Sequence, residues 1–299
     1  MSRPLLTLGG GSVEILRDVL LGSDAEPETF IAGPTCGDES GHVRMALHTP
    51  EARTVKDDSL LTVGDAMIDI RILADADAVA REAAKVIAAE ARTAVAARGR
   101  FILAVSGGHT PWVMLRALAG EDVPWAGVHV VQVDERIAPT GDPDRNLTNL
   151  CESLLEHAPL SPAHIHAMPV EEADLEAAAR SYARTLAMLA GTPPVLDLAH
   201  LGLGPDGHTA SLVPNDPVLT VVDRDVALTG VYMNRRRMTL TYPALNRARR
   251  ILWVVTGAEK ANMLVRLHDG DSTIPAGGIR REQALILADQ PAGAALGRT

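Results

Sequence analysis

The chain has 299 residues, of which 46% are apolar, so a sizeable core can be buried without disulfide staples. A net charge of -10 argues against a nucleic-acid surface, and the basic cluster Arg235 to Arg237 with Arg247, Arg249 and Arg250 is too local to form a stripe. No apolar run reaches membrane-span length, no basic segment with an apolar signal core opens the chain, and Cys36 and Cys151 fit no disulfide or zinc pattern, which together point to a reducing cytoplasm.

Residues 1–66 read as an unassigned N-terminal extension. Gly9 to Gly11, the polar stretch Ser23 to Glu28 and the Gly-rich run from 37 to 41 break any long period, and only short strands, Phe30 to Ala32 and Val43 to Leu47, are expected. A catalytic domain is placed at 67–299. It starts with the alternating strand Ile68 to Ile72 and a helix from Asp77 to Arg98, on which Val79, Ala83, Val86, Ile87, Ala91, Ala94 and Val95 share a face and Gly99 is the stop.

Strand and helix then alternate. Strands are expected at Phe101 to Val105, Val128 to Val133, Leu196 to Leu201, Arg237 to Thr241, Ile251 to Val255 and Leu285 to Ala288. Helices are expected after Pro111, near 146–155 and 174–190, and from Glu259 to His268. Such alternation implies right-handed crossovers and a Rossmann-like three-layer α/β sandwich with a mainly parallel sheet.

In that architecture ligands gather at the carboxyl ends of the strands, and four turns there carry chemistry. Ser106-Gly107-Gly108-His109-Thr110-Pro111 opens a helix: its glycines admit an anion to the backbone, Thr110 is the expected cap, and Pro111 suits the first helical position. At Asp134-Glu135-Arg136, the guanidinium can fork onto phosphate, whereas Glu135 reads as half of a surface ion pair. The third turn, Gly202 to Ser211, folds on Gly202, Gly204 and Gly207 and sets His208 beside Asp206, an imidazole suited to proton transfer near neutral pH. In Gly257-Ala258-Glu259-Lys260, an anion at the helix start would favour Lys260, and Arg237 is a further candidate for the same charge. His164 and His166 read as a solvated loop, not a metal site. No Gly-x-Ser-x-Gly elbow supplies a serine nucleophile, and Gly202-x-Gly204 lacks the dinucleotide spacing.

Taken in order, the 106–111 turn, residues 134–136, the run 201–214, the strand 237–241 and Gly257 to Lys260 resemble the 6-phosphogluconolactonase family over roughly residues 68–290. The resemblance implies hydrolysis of 6-phospho-D-glucono-1,5-lactone in the oxidative pentose phosphate pathway, by a cofactor-free enzyme whose partner is a small sugar phosphate, with neither nucleic acid nor membrane. His208 is then the catalytic base with Asp206 holding its tautomer. Ser106, Gly107, Gly108, His109, Thr110, Asp134, Arg136, Gly204, Arg237 and Lys260 are the candidate substrate-binding residues. The related glucosamine-6-phosphate deaminases carry a glutamate where alignment on Asp206-Gly207-His208 puts Val213, and valine cannot move a proton. His109, where Ser or Thr is common, and Arg145-Asn146, where Ser-Asn is common, depart from the family pattern. The alternatives are a deaminase or isomerase of the same fold and a non-catalytic sugar-phosphate sensor, which would need a helix-turn-helix that residues 1–66 do not show.

Overall fold

Five consecutive apolar residues, Phe101–Val105, cannot be a half-exposed strand, and in the structure every one of them is buried. Phe101, Leu103 and Val105 point to one face of a sheet and Ile102 and Ala104 to the other, so this strand needs helices on both sides. The structure, a computed structural model, describes residues 68–297; the strands expected at Phe30 to Ala32 and Val43 to Leu47, and Cys36, lie outside the described residues.

In chain order the elements are β1 (Asp69–Leu73), α1 (Ala76–Arg98), β2 (Phe101–Val105), α2 (His109–Ala119), β3 (Val128–Gln132), β4 (Asp134–Arg136), α3 (Asn146–Leu150), β5 (Ile165–His166), α4 (Leu175–Ala190), β6 (Leu198–Leu201), β7 (Val226–Leu228), β8 (Arg237–Leu240), α5 (Tyr242–Asn246), β9 (Arg250–Val255), α6 (Ala261–His268), β10 (Ala284–Asp289) and α7 (Gln290–Gly293). Seven strands form one parallel sheet in the order β1-β10-β9-β6-β2-β3-β5. No helix of the described residues is long and apolar enough to cross a membrane.

α1 shows why the expected layers form. Asp75 caps it by accepting the Ala78 amide at 2.7 Å, and Gly99 ends it in the left-handed region at φ 74°, its amide on the Val95 carbonyl. Val79, Ala83, Ile87, Ala91 and Ala94 are buried as the periodicity requires, while Val86 and Val95 are only half-buried at the edge of the stripe. Each of Val79 and Ile87 contributes roughly 1.5–3 kcal/mol by leaving water. With Met114, Leu115 and Leu118 of α2 they cover the Leu103, Leu198, Leu252 and Leu285 side of the sheet. On the opposite face Tyr182 and Leu186 of α4 and Leu264 and Leu267 of α6 cover Ala104, Ala199, Trp253 and Ile286.

The strand expected at Arg237 to Thr241 exists as β8 but belongs elsewhere: β4, β8 and β7 form a separate antiparallel sheet of three strands. Residues 134–136 are accordingly a strand of that sheet, not the tail of β3. The main sheet has its topological switch at β2 and β6, which lie side by side. From β2 the chain proceeds outward to β3 and β5, and from β6 it proceeds the other way to β9 and β10. A crevice opens at the carboxyl ends of such a pair, which is where the turns beginning at Ser106 and Gly202 stand.

Candidate active site

Beyond β6 the chain must turn sharply, and the backbone does so through two hydrogen bonds, Gly204 amide to His208 carbonyl at 2.8 Å and Gly207 amide to Gly204 carbonyl at 3.0 Å. Gly207 takes φ 82°, and a Cβ at Gly204 would fall 2.0 Å from His208 Nδ1, so the loop closes only around glycine. The result is a fixed imidazole: Nδ1 of His208 is 2.6 Å from Asp206 Oδ1. Since an ionised carboxylate only accepts, Nδ1 carries the proton and Nε2 the lone pair. Tyr232 completes the group by donating its hydroxyl to Asp206 Oδ2 at 3.0 Å. Burial works against ionisation of Asp206, but the hydrogen bonds from His208 and Tyr232 outweigh it and hold its pKa below the usual carboxylate value.

His208 lines a cleft of about 170 Å³ together with Ser106, Gly107, Asp134, Asn146, Gly204 and the cations Arg136, Arg237 and Lys260. Three cationic side chains thus stand around one histidine in a chain of net charge -10, an arrangement whose charge suits an anion. Arg136 donates to the Asp144 carbonyl at 2.9 Å and to Asn146 Oδ1. Arg237 is 6% exposed, its guanidinium lies 5.1 Å from the Tyr232 ring centre, and its Nε has no protein partner. Burial lowers the Arg237 pKa, against the attraction of Asp134. Lys260 closes the short 3-10 turn Ala258–Lys260 and keeps a mostly buried side chain 3.7 Å from Glu259.

The Gly-rich turn is divided between two spaces. Gly107 faces the His208 cleft, whereas Gly108, His109 and Thr110 line a neighbouring depression of about 480 Å³ that also contains Gly107, Gly202, Leu203 and Lys260. Lys260 therefore stands on the wall between them. The expected capping by Thr110 is corrected: α2 starts at His109, its cap position is Gly108 at φ 121°, and the Thr110 hydroxyl is engaged with Thr256 Oγ1 at 2.6 Å. Pro111 is thus the third helical residue. Ser106 is likewise occupied, donating its hydroxyl to the His200 carbonyl at 2.9 Å and its amide to His200 Nδ1 at 3.3 Å.

The surface ion pair expected for Glu135 is also corrected. Glu135 is fully buried and accepts from the amides of Arg136, Asn146 and Leu147 and from Gln132 Nε2, all at 2.7–2.8 Å, with Arg145 at 3.7 Å. A buried carboxylate is tolerable only when so satisfied, and here it pins the 135–147 segment that presents Arg136 and Asn146. Asp134 has both oxygens committed, to Ser211 Oγ at 2.5 Å and Asn146 Nδ2 at 3.2 Å, so it joins two loops at the cleft floor. His164 and His166 are not a solvated loop either: both are half-buried and their rings lie 4.1 and 5.4 Å from that of His129. Among the described residues no cluster of His, Cys, Asp and Glu is arranged to hold a metal ion.

Tyr232 and His200 had no local signal in the sequence, Ser211 stood out only as the end of the third turn, and Asn146 only as the retained half of a pair in which Arg145 departs. Its side chain packs so closely on the Gly107 backbone that a Cβ at 107 would fall 1.8 Å from Oδ1.

A family model described as glucosamine-6-phosphate isomerases/6-phosphogluconolactonase matches residues 74–287. The chain belongs to this family. A 6-phosphogluconolactonase of Synechocystis is 40% identical over 199 residues, 64% of this chain and 82% of that protein. One of Mycobacterium tuberculosis is 34% identical over 241 residues, 76% and 98% of the two chains. The solved 6-phosphogluconolactonase of Thermotoga maritima superposes with a TM-score of 0.66 at 27% identity, covering 74% of this chain and 98% of that one. A monomeric glucosamine-6-phosphate deaminase reaches a TM-score of 0.68 at 18% identity over 76% and 100%, a likeness of fold alone. At the level of the family, these relatives support 6-phosphogluconolactonase-type hydrolysis.

Proposed function

We propose that this family member hydrolyses 6-phospho-D-glucono-1,5-lactone to 6-phosphogluconate, without a cofactor, as a soluble cytoplasmic enzyme of the oxidative pentose phosphate pathway. The observation that carries the reading is the His208–Asp206 pair at 2.6 Å inside a cleft lined by Arg136, Arg237 and Lys260. These cations and the Gly107 backbone take the phosphate. Gly108, His109 and Thr110 extend that anion-binding wall on the far side of Lys260. Binding energy from this remote group then fixes the lactone carbonyl beside His208.

His208 Nε2 removes a proton from water as its oxygen bonds to the carbonyl carbon. Collapse of the tetrahedral oxyanion breaks the bond to the ring oxygen, and the imidazolium returns the proton to that oxygen, leaving the open-chain acid. Asp206 keeps the proton on Nδ1 and stabilises the imidazolium in between, as a carboxylate does for a catalytic histidine elsewhere. A lactone is an activated ester, so a positioned base suffices.

The deaminase reading is disfavoured because Val213, at the position aligned with the deaminases' glutamate, is buried at 4% exposure and carries no proton. A coupled assay through 6-phosphogluconate dehydrogenase on freshly made lactone, corrected for spontaneous opening, tests the proposal. Wild type should accelerate opening and His208→Ala should lose about 100-fold or more with its fold intact. Ammonia release from glucosamine 6-phosphate, or binding of 6-phosphogluconate with no lactone turnover, would replace it with one of the alternatives.

A further inference from the structure

We infer that Tyr232 is a positioning residue for the reaction, acting on His208 through Asp206 and on the substrate anion through Arg237; this rests on the lactonase reading above. Tyr232 precedes the two-residue tip of a hairpin, Met233 and Asn234, both at positive φ, and exchanges backbone hydrogen bonds with Arg235 at 2.9 and 3.2 Å. Such a turn fixes its flanking residues. Arg235 ties the tip to Asp142 and Asp144 at 3.0–3.2 Å, and Asp144 in turn accepts from Arg136. The tyrosine is therefore held from outside the cleft, while its neighbours Val231 and Met233 point to solvent, 72% and 73% exposed.

From that anchor the side chain meets three members of the site. Its hydroxyl donates to Asp206 Oδ2 at 3.0 Å and lies 3.4 Å from His208 Nδ1. Its ring meets the His208 ring edge to face, 5.5 Å between centres at 64°, and carries the Arg237 guanidinium at 5.1 Å. In a chain with only three tyrosines, this placement gives one side chain two separable jobs. The hydroxyl shares the charge of Asp206, so the carboxylate orients His208 without gripping the imidazolium at full strength. The ring holds Arg237, whose Nε lacks a protein partner, in the anion-binding wall.

The other charges facing His208 are Arg136 from β4, Arg237 from β8 and Lys260 from the 3-10 turn, with Asp134 at the floor. All remain in Tyr232→Phe, which removes only the hydroxyl. Asp206 then bears its charge without the Tyr232 hydroxyl and becomes the stronger partner of the His208 imidazolium. The expected result is a kcat reduced about threefold at pH 5 and nearly unchanged at pH 9, with KM unaltered. Tyr232→Leu, which also removes the ring, should raise KM about fivefold or more.

Histidine NMR titration of wild type and Tyr232→Phe, together with kcat and KM from pH 5 to 9, tests this. An unmoved His208 titration and acid limb overturns the inference, as does a kcat loss equal at every pH, which is what a merely structural tyrosine would give. A moved His208 titration in a protein that does not open the lactone keeps the Tyr232–Asp206–His208 linkage and removes the proposed reaction instead.

Discussion

Gly204→Ala is the sharpest perturbation of the site, because it adds one methyl and nothing else. The new Cβ would stand 2.0 Å from His208 Nδ1, 2.2 Å from Cε1 and 2.7 Å from Asp206 Oδ1, where real contacts begin near 3.4 Å. The backbone cannot yield easily, since the Gly204 amide and carbonyl are both committed within the loop, to the His208 carbonyl and the Gly207 amide. The imidazole must therefore move by about 1.4 Å, and a misplacement of about 1 Å costs on the order of 100-fold in rate. That is about 2.7 kcal/mol of transition-state stabilisation. The cations proposed to hold the phosphate are untouched, so the loss should fall on kcat, with 6-phosphogluconate binding by calorimetry within about threefold of wild type. Gly202→Ala is the matched comparison, because its Cβ would meet nothing within 4 Å and leaves the ring where it is. A folded Gly204→Ala protein turning over lactone as fast as wild type would refute both the placement of His208 and its role as base.

Two further outcomes follow from the same geometry. Lys260→Ala removes the cation on the wall between the two depressions and should raise KM about tenfold while kcat stays within about threefold, read in the coupled lactone assay. His200, fully buried beneath Ser106, has its pKa pushed down to about 4 by burial alone, so the unfolded chain binds its proton more readily than the folded one. That stability is complete above about pH 6.5, the unfolded value, and is lost as pH falls toward 4, amounting to about 2 kcal/mol by pH 5. Urea unfolding at pH 7.5 and pH 5 should show His200→Gln losing about 2 kcal/mol less than wild type across that interval. Equal losses in the two proteins would mean that His200 is solvated or charged in the fold.

The parallel sheet was legible because its strands are buried on both faces and its helices carry their own stops: Phe101–Val105 and Gly99 announce themselves locally. The turns at Ser106, Gly202 and Gly257 were legible for the same reason, since glycine clusters after apolar runs reflect a backbone requirement. The antiparallel sheet was not. Asp134-Glu135-Arg136 has no strand period of its own, and it pairs with β8 in a register Asp134↔Thr239 that only the fold creates. Glu135 was misjudged because charge in a sequence reads as exposure, whereas here three backbone amides and Gln132 replace water. Thr110 was misjudged because Gly108, free of a side-chain cap, already starts the helix.

What ties the site together lies between segments that are remote in sequence. Ser211, in the histidine loop, donates to Asp134 across 77 positions, Arg235 of the hairpin reaches Asp144 across 91, and Asn146 presses on Gly107 from the other side of the crevice. Each contact joins a loop bearing a candidate functional group to another: His208 to Asp134, Tyr232 to the segment bearing Arg136, and Asn146 to the Gly-rich turn. A motif scan sees the loops but not these links, because Ser, Asp and Asn at such separations are unremarkable one at a time. The links bear on the proposed chemistry, since a proton acceptor and a phosphate grip act together only when held at a fixed separation. The conformational cost of ordering four loops is offset by buried, charge-assisted hydrogen bonds at Asp134 and Glu135, so the acidic residues of the second turn act as the frame on which the cations Arg136 and Arg237 are presented.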